Sequence, residues 1–139
     1  MILFVKLPVL RGVFPYTIEV MLATKYRFHG HGSLRFVYSK GQAVRSKYYV
    51  CKYTHNARRS EPRVAIVVSK KVIKSAVKRN RIRRRLYEAV RQEIPKISPQ
   101  LDLVFVVISP EVLTASSIEI TETLQRSLTQ ADLYKTTNS

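Results

Sequence analysis

A chain of 139 residues, 45% of them hydrophobic, has material for one modest core and one compact domain. Its 25 Lys and Arg against 9 Asp and Glu leave a formal charge of +16, which opposes compaction by self-repulsion and points to a polyanionic partner. The single cysteine, Cys51, excludes an intrachain disulfide and favours a reducing, cytoplasmic setting, and no run reaches the roughly 18 to 20 apolar residues of a membrane-spanning helix.

Residues 1–20 are apolar without a clear period, lack a basic n-region and are broken by Pro8 and Pro15, which makes a poor signal peptide. Met21 then opens a segment of different character, so two readings stand: a start at Met21 behind an over-extended frame, or an N-terminal arm. Gly32-Ser33 ahead of Leu34 predicts a short helix over 33–40, with Ser33 as N-cap and Gly41 in a left-handed turn at its end. Residues 43–54 alternate Tyr49, Cys51 and Tyr53 against Tyr48, Val50 and Lys52, and predict one strand with an aromatic face. The polar stretch HNARRSEP, 55–62, reads as a hairpin loop, and RVAIVVS, 63–69, as a strand of the buried type.

A basic helix follows, then a loop marked by Pro95 and Pro99, then a second buried strand, LDLVFVVIS, over 101–109. Residues 116–129 predict a last helix capped by Ser116 or Ser117, with Ile118, Leu124 and Leu128 among its buried positions, ahead of a disordered tail at 135–139. The order implies a single small α/β sandwich with helices against one sheet.

The charge is concentrated. Residues 21–91 carry 20 basic residues and only two acids, Glu61 and Glu88, and nine of the basic residues fall between Ser69 and Arg85. At 100° per residue, Ile82, Leu86, Ala89 and Val90 share one arc, while Asn80, Arg81, Arg84, Tyr87, Glu88 and Arg91 lie opposite. Arg79 falls near the apolar side, so either it stands in the first turn and reaches around the helix end, or the helix phase is slightly shifted.

A solvated helix face is the ordinary meaning of surface charge, but here the signs do not alternate, and like charges at i, i+4 destabilise a helix. A nucleic acid offsets that cost. Arg side chains bind phosphate oxygens bidentately, Lys70, Lys71, Lys74 and Lys78 act as point charges, and Asn80 can donate and accept, which suits a 2′-hydroxyl or a base edge. Phe36, Tyr38, Tyr48, Tyr49 and Tyr53 add rings that stack bases in some proteins and fill cores in most. The nine acids are dispersed, and His29 and His31 flank a glycine without the partners of a metal site, so catalysis by the protein alone is disfavoured. A structural RNA-binding protein and a membrane-surface helix are the competing classes, and the second is weakened because the apolar face is needed for the core.

The stretches VSKK at 68–71 and AVKRNRIRRRL at 76–86, behind Arg63-Val64, resemble the signature of the bacterial ribonuclease P protein component, with Arg79-Asn80-Arg81 at its centre. The resemblance extends over about residues 21–134, leaving 1–20 as an extension and favouring a start at Met21. It implies a mixed sheet in which the basic helix makes an unusual left-handed βαβ crossover. It also implies the small subunit of a ribonucleoprotein endoribonuclease whose RNA, with Mg2+ bound mainly by that RNA, removes the 5′ leader of precursor tRNA. The partners implied are ribonuclease P RNA and precursor tRNA, with no membrane and no obligate protein partner. Lys70, Lys71, Lys74, Lys78, Arg79, Asn80, Arg81, Arg83 and Arg84 would dock on the catalytic RNA, and Leu34, Tyr38, Tyr49 and Lys52 map onto the leader-binding cleft. Two departures stand out: Leu34 replaces a frequent phenylalanine, and Tyr87 replaces a frequent arginine for which Arg85 would substitute.

Overall fold

The computed structural model describes Tyr26, Phe28 and residues 32–135. The expectations for residues 1–20, Met21, His29, His31 and the end of the tail lie outside these residues.

The first helix, α1 (Gly32–Lys40), starts one residue earlier than expected, which places Ser33 inside its first turn and not at the cap. Gly41 ends it, but not by a left-handed turn. A Cβ at Gly41 would lie 2.5 Å from the Val37 carbonyl oxygen and 3.0 Å from that of Tyr53, so close backbone approach is what demands glycine there.

The single strand expected over 43–54 is two strands, β1 (Gln42–Arg45) and β2 (Tyr49–His55), paired antiparallel. Ser46 makes the turn. Its amide donates to the Tyr49 carbonyl at 2.8 Å, and its hydroxyl oxygen accepts from the amides of Tyr48 and Tyr49, both at 3.2 Å.

Next come β3 (Arg63–Val67), α2 (Ala76–Glu93) and β4 (Leu101–Val107), and the sheet order is β1-β2-β4-β3. Because β4 lies between β2 and β3, residues 56–62 are not a hairpin loop: they pass across the end of β4, where the Asn56 amide donates to the Gln100 carbonyl. β4 runs antiparallel to β2 and parallel to β3, so the sheet is mixed and α2 forms the βαβ crossover. The last helix, α3 (Ser117–Gln130), has Ser116 as N-cap in a reciprocal capping box with Glu119.

One sheet face, including Cys51, Ile66, Leu103 and Phe105, packs beneath α2 and α3 as the core. Ile82, Leu86, Ala89 and Val90 of α2 are buried as the phase predicted, and burial of a side chain the size of Ile82 or Leu86 is worth about 1.5–3 kcal/mol. Two positions differ from expectation. Tyr87 is buried, because it borders Val90 on the helix circumference, whereas Ile118 is 69% exposed and Ile120 joins Leu124 and Leu128 at i, i+4, i+8. The chain end is held as well: the Lys135 amide donates to the Lys96 carbonyl at 2.8 Å, so order extends into the first residue of the expected tail. On the other sheet face α1 covers β2 and β4 through Val37, which is buried outside the main core cluster.

Candidate nucleic-acid interface

The basic segment has two parts, the loop 68–75 and α2. The loop is folded on itself: the amides of Val72 and Ile73 both donate to the Ser69 carbonyl, at 3.1 and 3.3 Å, and their side chains pack against the core. Ser75 caps α2, its hydroxyl oxygen accepting from the Lys78 amide at 3.2 Å. No acid occupies the first turn, so Lys78 and Arg79 sit unfavourably at the positive end of the helix dipole. The buried stripe supplies the stability that this charge removes.

Three of the nine cations between Ser69 and Arg85 are engaged within the protein. Arg79 donates through Nη1 to the carbonyls of Ile73 at 3.1 Å and Lys74 at 2.7 Å, reaching around the helix start, which is the first of its two expected placements. Arg83 donates to Asn80 Oδ1 at 2.7 Å, and its pKa is drawn below the ordinary guanidinium value by burial, with Tyr87 opposing and the charge of Arg79 adding to the effect. Arg85 donates to the carbonyls of Val112, Leu113 and Ala115, which ties α2 to the short 3-10 turn Pro110–Leu113. Arg85 is thus committed to the fold and does not stand in for an arginine at position 87. Lys70, Lys71, Lys74, Lys78, Arg81 and Arg84 are exposed, and their side chains have no hydrogen bond or ion pair among the described residues.

Asn80 is engaged by Arg83. A guanidinium has donors only, so Arg83 takes one lone pair of the amide oxygen and leaves Asn80 its two N–H donors and the second lone pair. Farther along the helix Arg91 pairs with Glu88 at 2.6 Å, a bond that holds the Glu88 carboxyl below its usual range. The uncompensated charge therefore lies in the loop and the first half of α2.

The second part of the interface is the sheet face under α1. Lys52 Nζ donates to the Tyr38 carbonyl at 2.8 Å and lies 4.7 Å from the centre of the Tyr38 ring, which fixes both side chains at the helix end. Leu34 is half-buried, and Tyr38 and Phe36 are 41% and 57% exposed. Tyr49 does not belong with them. It is 0% exposed, stacked edge-on against Phe105 and hydrogen-bonded to Ser127 Oγ at 3.0 Å, because odd positions of β2 face the core and even ones face α1. Tyr48 is buried too, and Tyr53 is half-buried with its hydroxyl on Gln42.

At the far end of the same face Arg63 forms a two-point ion pair with Asp102, at 2.9 and 2.8 Å, while Asn56 donates to Asp102 at 3.1 Å and the Phe28 ring lies 4.7 Å from the guanidinium carbon. Sequence reasoning did not assign this group. The signal for it was Asp102 itself, a lone acid in an apolar strand, which must find a cationic partner when buried. Among the described residues no three His, Cys, Asp or Glu side chains gather where they could hold a metal ion, and no helix is long and apolar enough to cross a membrane.

Comparison with known proteins identifies the family and the fold. The model of the Ribonuclease P family matches residues 22–132. The ribonuclease P protein component of Chloroflexus aurantiacus is 35% identical over 108 residues, 78% of each chain, and that of a Cyanothece species is 30% identical over 129 residues, 81% of this chain and 97% of the relative. Among solved structures, the Staphylococcus aureus RNase P protein superposes with a TM-score of 0.69 at 24% identity, covering 79% of this chain and 98% of that one. The Thermotoga maritima RNase P protein gives 0.66 at 20% identity, covering 75% and 96%. At such identities the structural likeness concerns the fold, a mixed four-stranded sheet with three helices.

Proposed function

The chain belongs to the ribonuclease P protein family, and from that premise we propose that it binds ribonuclease P RNA through its basic loop and helix and holds the 5′ leader of precursor tRNA against the sheet face under α1. The observation that carries this reading is the set of six exposed cations whose side chains have no partner among the described residues, mounted on a folded loop and on a helix glued to the core. Arg81 and Arg84 supply forked donors to phosphates, and Lys70, Lys71, Lys74 and Lys78 supply point charges.

Cleavage in this reading belongs to the RNA. Mg2+ in this reading is held mainly by the RNA, and the protein's part is electrostatic. Positive charge placed where two polyanions meet lowers their repulsion and the metal concentration needed to join them. Leader contacts at Tyr38 and Lys52 exist only for the precursor, so they favour substrate over mature tRNA. We assign the activity to the cytoplasm with precursor tRNA as substrate.

The test is the salt dependence of binding to ribonuclease P RNA. Arg81→Ala and Arg84→Ala should each weaken binding and reduce the slope of log K against log salt by about one phosphate contact. Unchanged affinity and slope in both would refute the docking face.

A further inference from the structure

We infer that Arg79, at the centre of the basic motif, is a positioning residue: its guanidinium holds the loop 68–75 against the start of α2 and so presents Lys70, Lys71 and Lys74 to the RNA as a preformed set. The inference rests on the docking face proposed above. Arg79 is half-buried, and one of its terminal nitrogens bridges two consecutive carbonyls, those of Ile73 and Lys74, just before the Ser75 cap. These carbonyls precede the helix, so without Arg79 nothing in α2 reaches back to them.

The loop has the features of a part held in one shape. Its Ser69 carbonyl accepts from two amides, the Ser69 hydroxyl oxygen accepts from the Lys71 amide at 3.2 Å, and Val72 and Ile73 anchor it in the core. The side chains of Lys70, Lys71 and Lys74 project from it with no partner of their own among the described residues. A flexible loop would have to lose its freedom on binding, and holding it beforehand removes that cost. The chemistry of the clamp also favours arginine, whose donors are pre-organised. A guanidinium is planar and projects its N–H groups in fixed directions, so one nitrogen can serve two neighbouring carbonyls, whereas a lysine ammonium is a compact point charge on a flexible stem.

The discriminating variant is Arg79→Lys, which keeps the charge and removes the fork. Two readouts are needed: hydrogen exchange of the Val72 and Ile73 amides in the free protein, and the salt slope of binding to ribonuclease P RNA. A positioning role predicts faster exchange at both amides and a slope reduced by two or more contacts, although the net charge is unchanged. Arg91→Lys, outside the docking face, serves as control and should leave exchange and slope near wild type. A preserved slope in Arg79→Lys with faster exchange would show that the clamp does not govern how the lysines meet RNA, and a reduced slope with exchange unchanged would show that Arg79 meets phosphate directly; either overturns the inference. Failure of the docking reading is separable: it would show as unchanged slopes in Arg81→Ala and Arg84→Ala, while the exchange experiment still reports on the clamp. Thermal unfolding of each variant identifies any that fails to fold, and Arg79→Gln, which shortens the side chain and removes the charge, then repeats the exchange measurement.

Discussion

Asp102 shows how much one residue can depend on its partner. Its carboxylate is buried in a strand otherwise made of apolar side chains, and among the described residues Arg63 and Asn56 compensate it. Removing one partner of such a pair leaves an uncompensated buried charge, so Arg63→Ala should destabilise the protein by about 3–5 kcal/mol in urea unfolding. Tyr49 and Tyr38 make a sharper contrast, because one ring is core and the other is surface. Tyr49→Phe removes one buried hydrogen bond, worth about 1 kcal/mol, and leaves Ser127 its bond to the Thr123 carbonyl, so the preference for precursor over mature tRNA should not change. Tyr38→Ala should leave stability nearly intact and reduce that preference.

Tyr49 also sets an alkaline limit. Burial pushes its pKa up to about 12 from the ordinary 10, so between those pH values the unfolded chain loses a proton that the folded one keeps. Stability then falls as pH rises through that window, by about 2–3 kcal/mol from this residue, and is unaffected by it below pH 10. Unfolding midpoints measured across the window should flatten by that amount in Tyr49→Phe.

At the scale of elements, α2 was legible from its periodicity, including the reach of Arg79 around the helix end as one of two placements, because an apolar stripe of Ile82, Leu86, Ala89 and Val90 fixes the rotation of everything else. What periodicity could not show was which arginines are spent internally. Arg84 and Arg85 are neighbours in sequence, yet only Arg85 meets the carbonyls of Val112, Leu113 and Ala115, a contact between segments 27 to 30 residues apart. The β1–β2 turn was missed because it is built by a serine hydroxyl without Gly, Pro or Asn, and the hairpin expected at 55–62 failed because strand order depends on where β4 inserts. Gly41 was marked correctly as a helix end, but for the wrong physical reason. Gly41→Ala should therefore disturb the α1–β1 junction, costing about 1–3 kcal/mol by overpacking against the Val37 and Tyr53 carbonyls. Ser116→Ala should cost about 1 kcal/mol through loss of the capping box, with no change in RNA affinity.

The whole molecule separates two tasks between the faces of one sheet. One face, with α2 and α3, makes the core; the other carries α1, Lys52 and the Arg63–Asp102 pair. The exposed cations of the loop and α2 stand on the outer side of the core layer, so an RNA bound there and a leader held under α1 meet the protein on different surfaces. The formal charge of +16 then has a purpose that folding alone does not give it. A variant carrying both Arg81→Ala and Arg84→Ala should need more Mg2+ for the same activity of the reconstituted complex. The measurement closest to the central claim is cleavage of a precursor tRNA by its cognate ribonuclease P RNA at low Mg2+, with and without this protein. Removal of the 5′ leader that requires both components is the predicted result. Binding of the RNA with no gain in cleavage would contradict it and make the protein a structural RNA-binding protein.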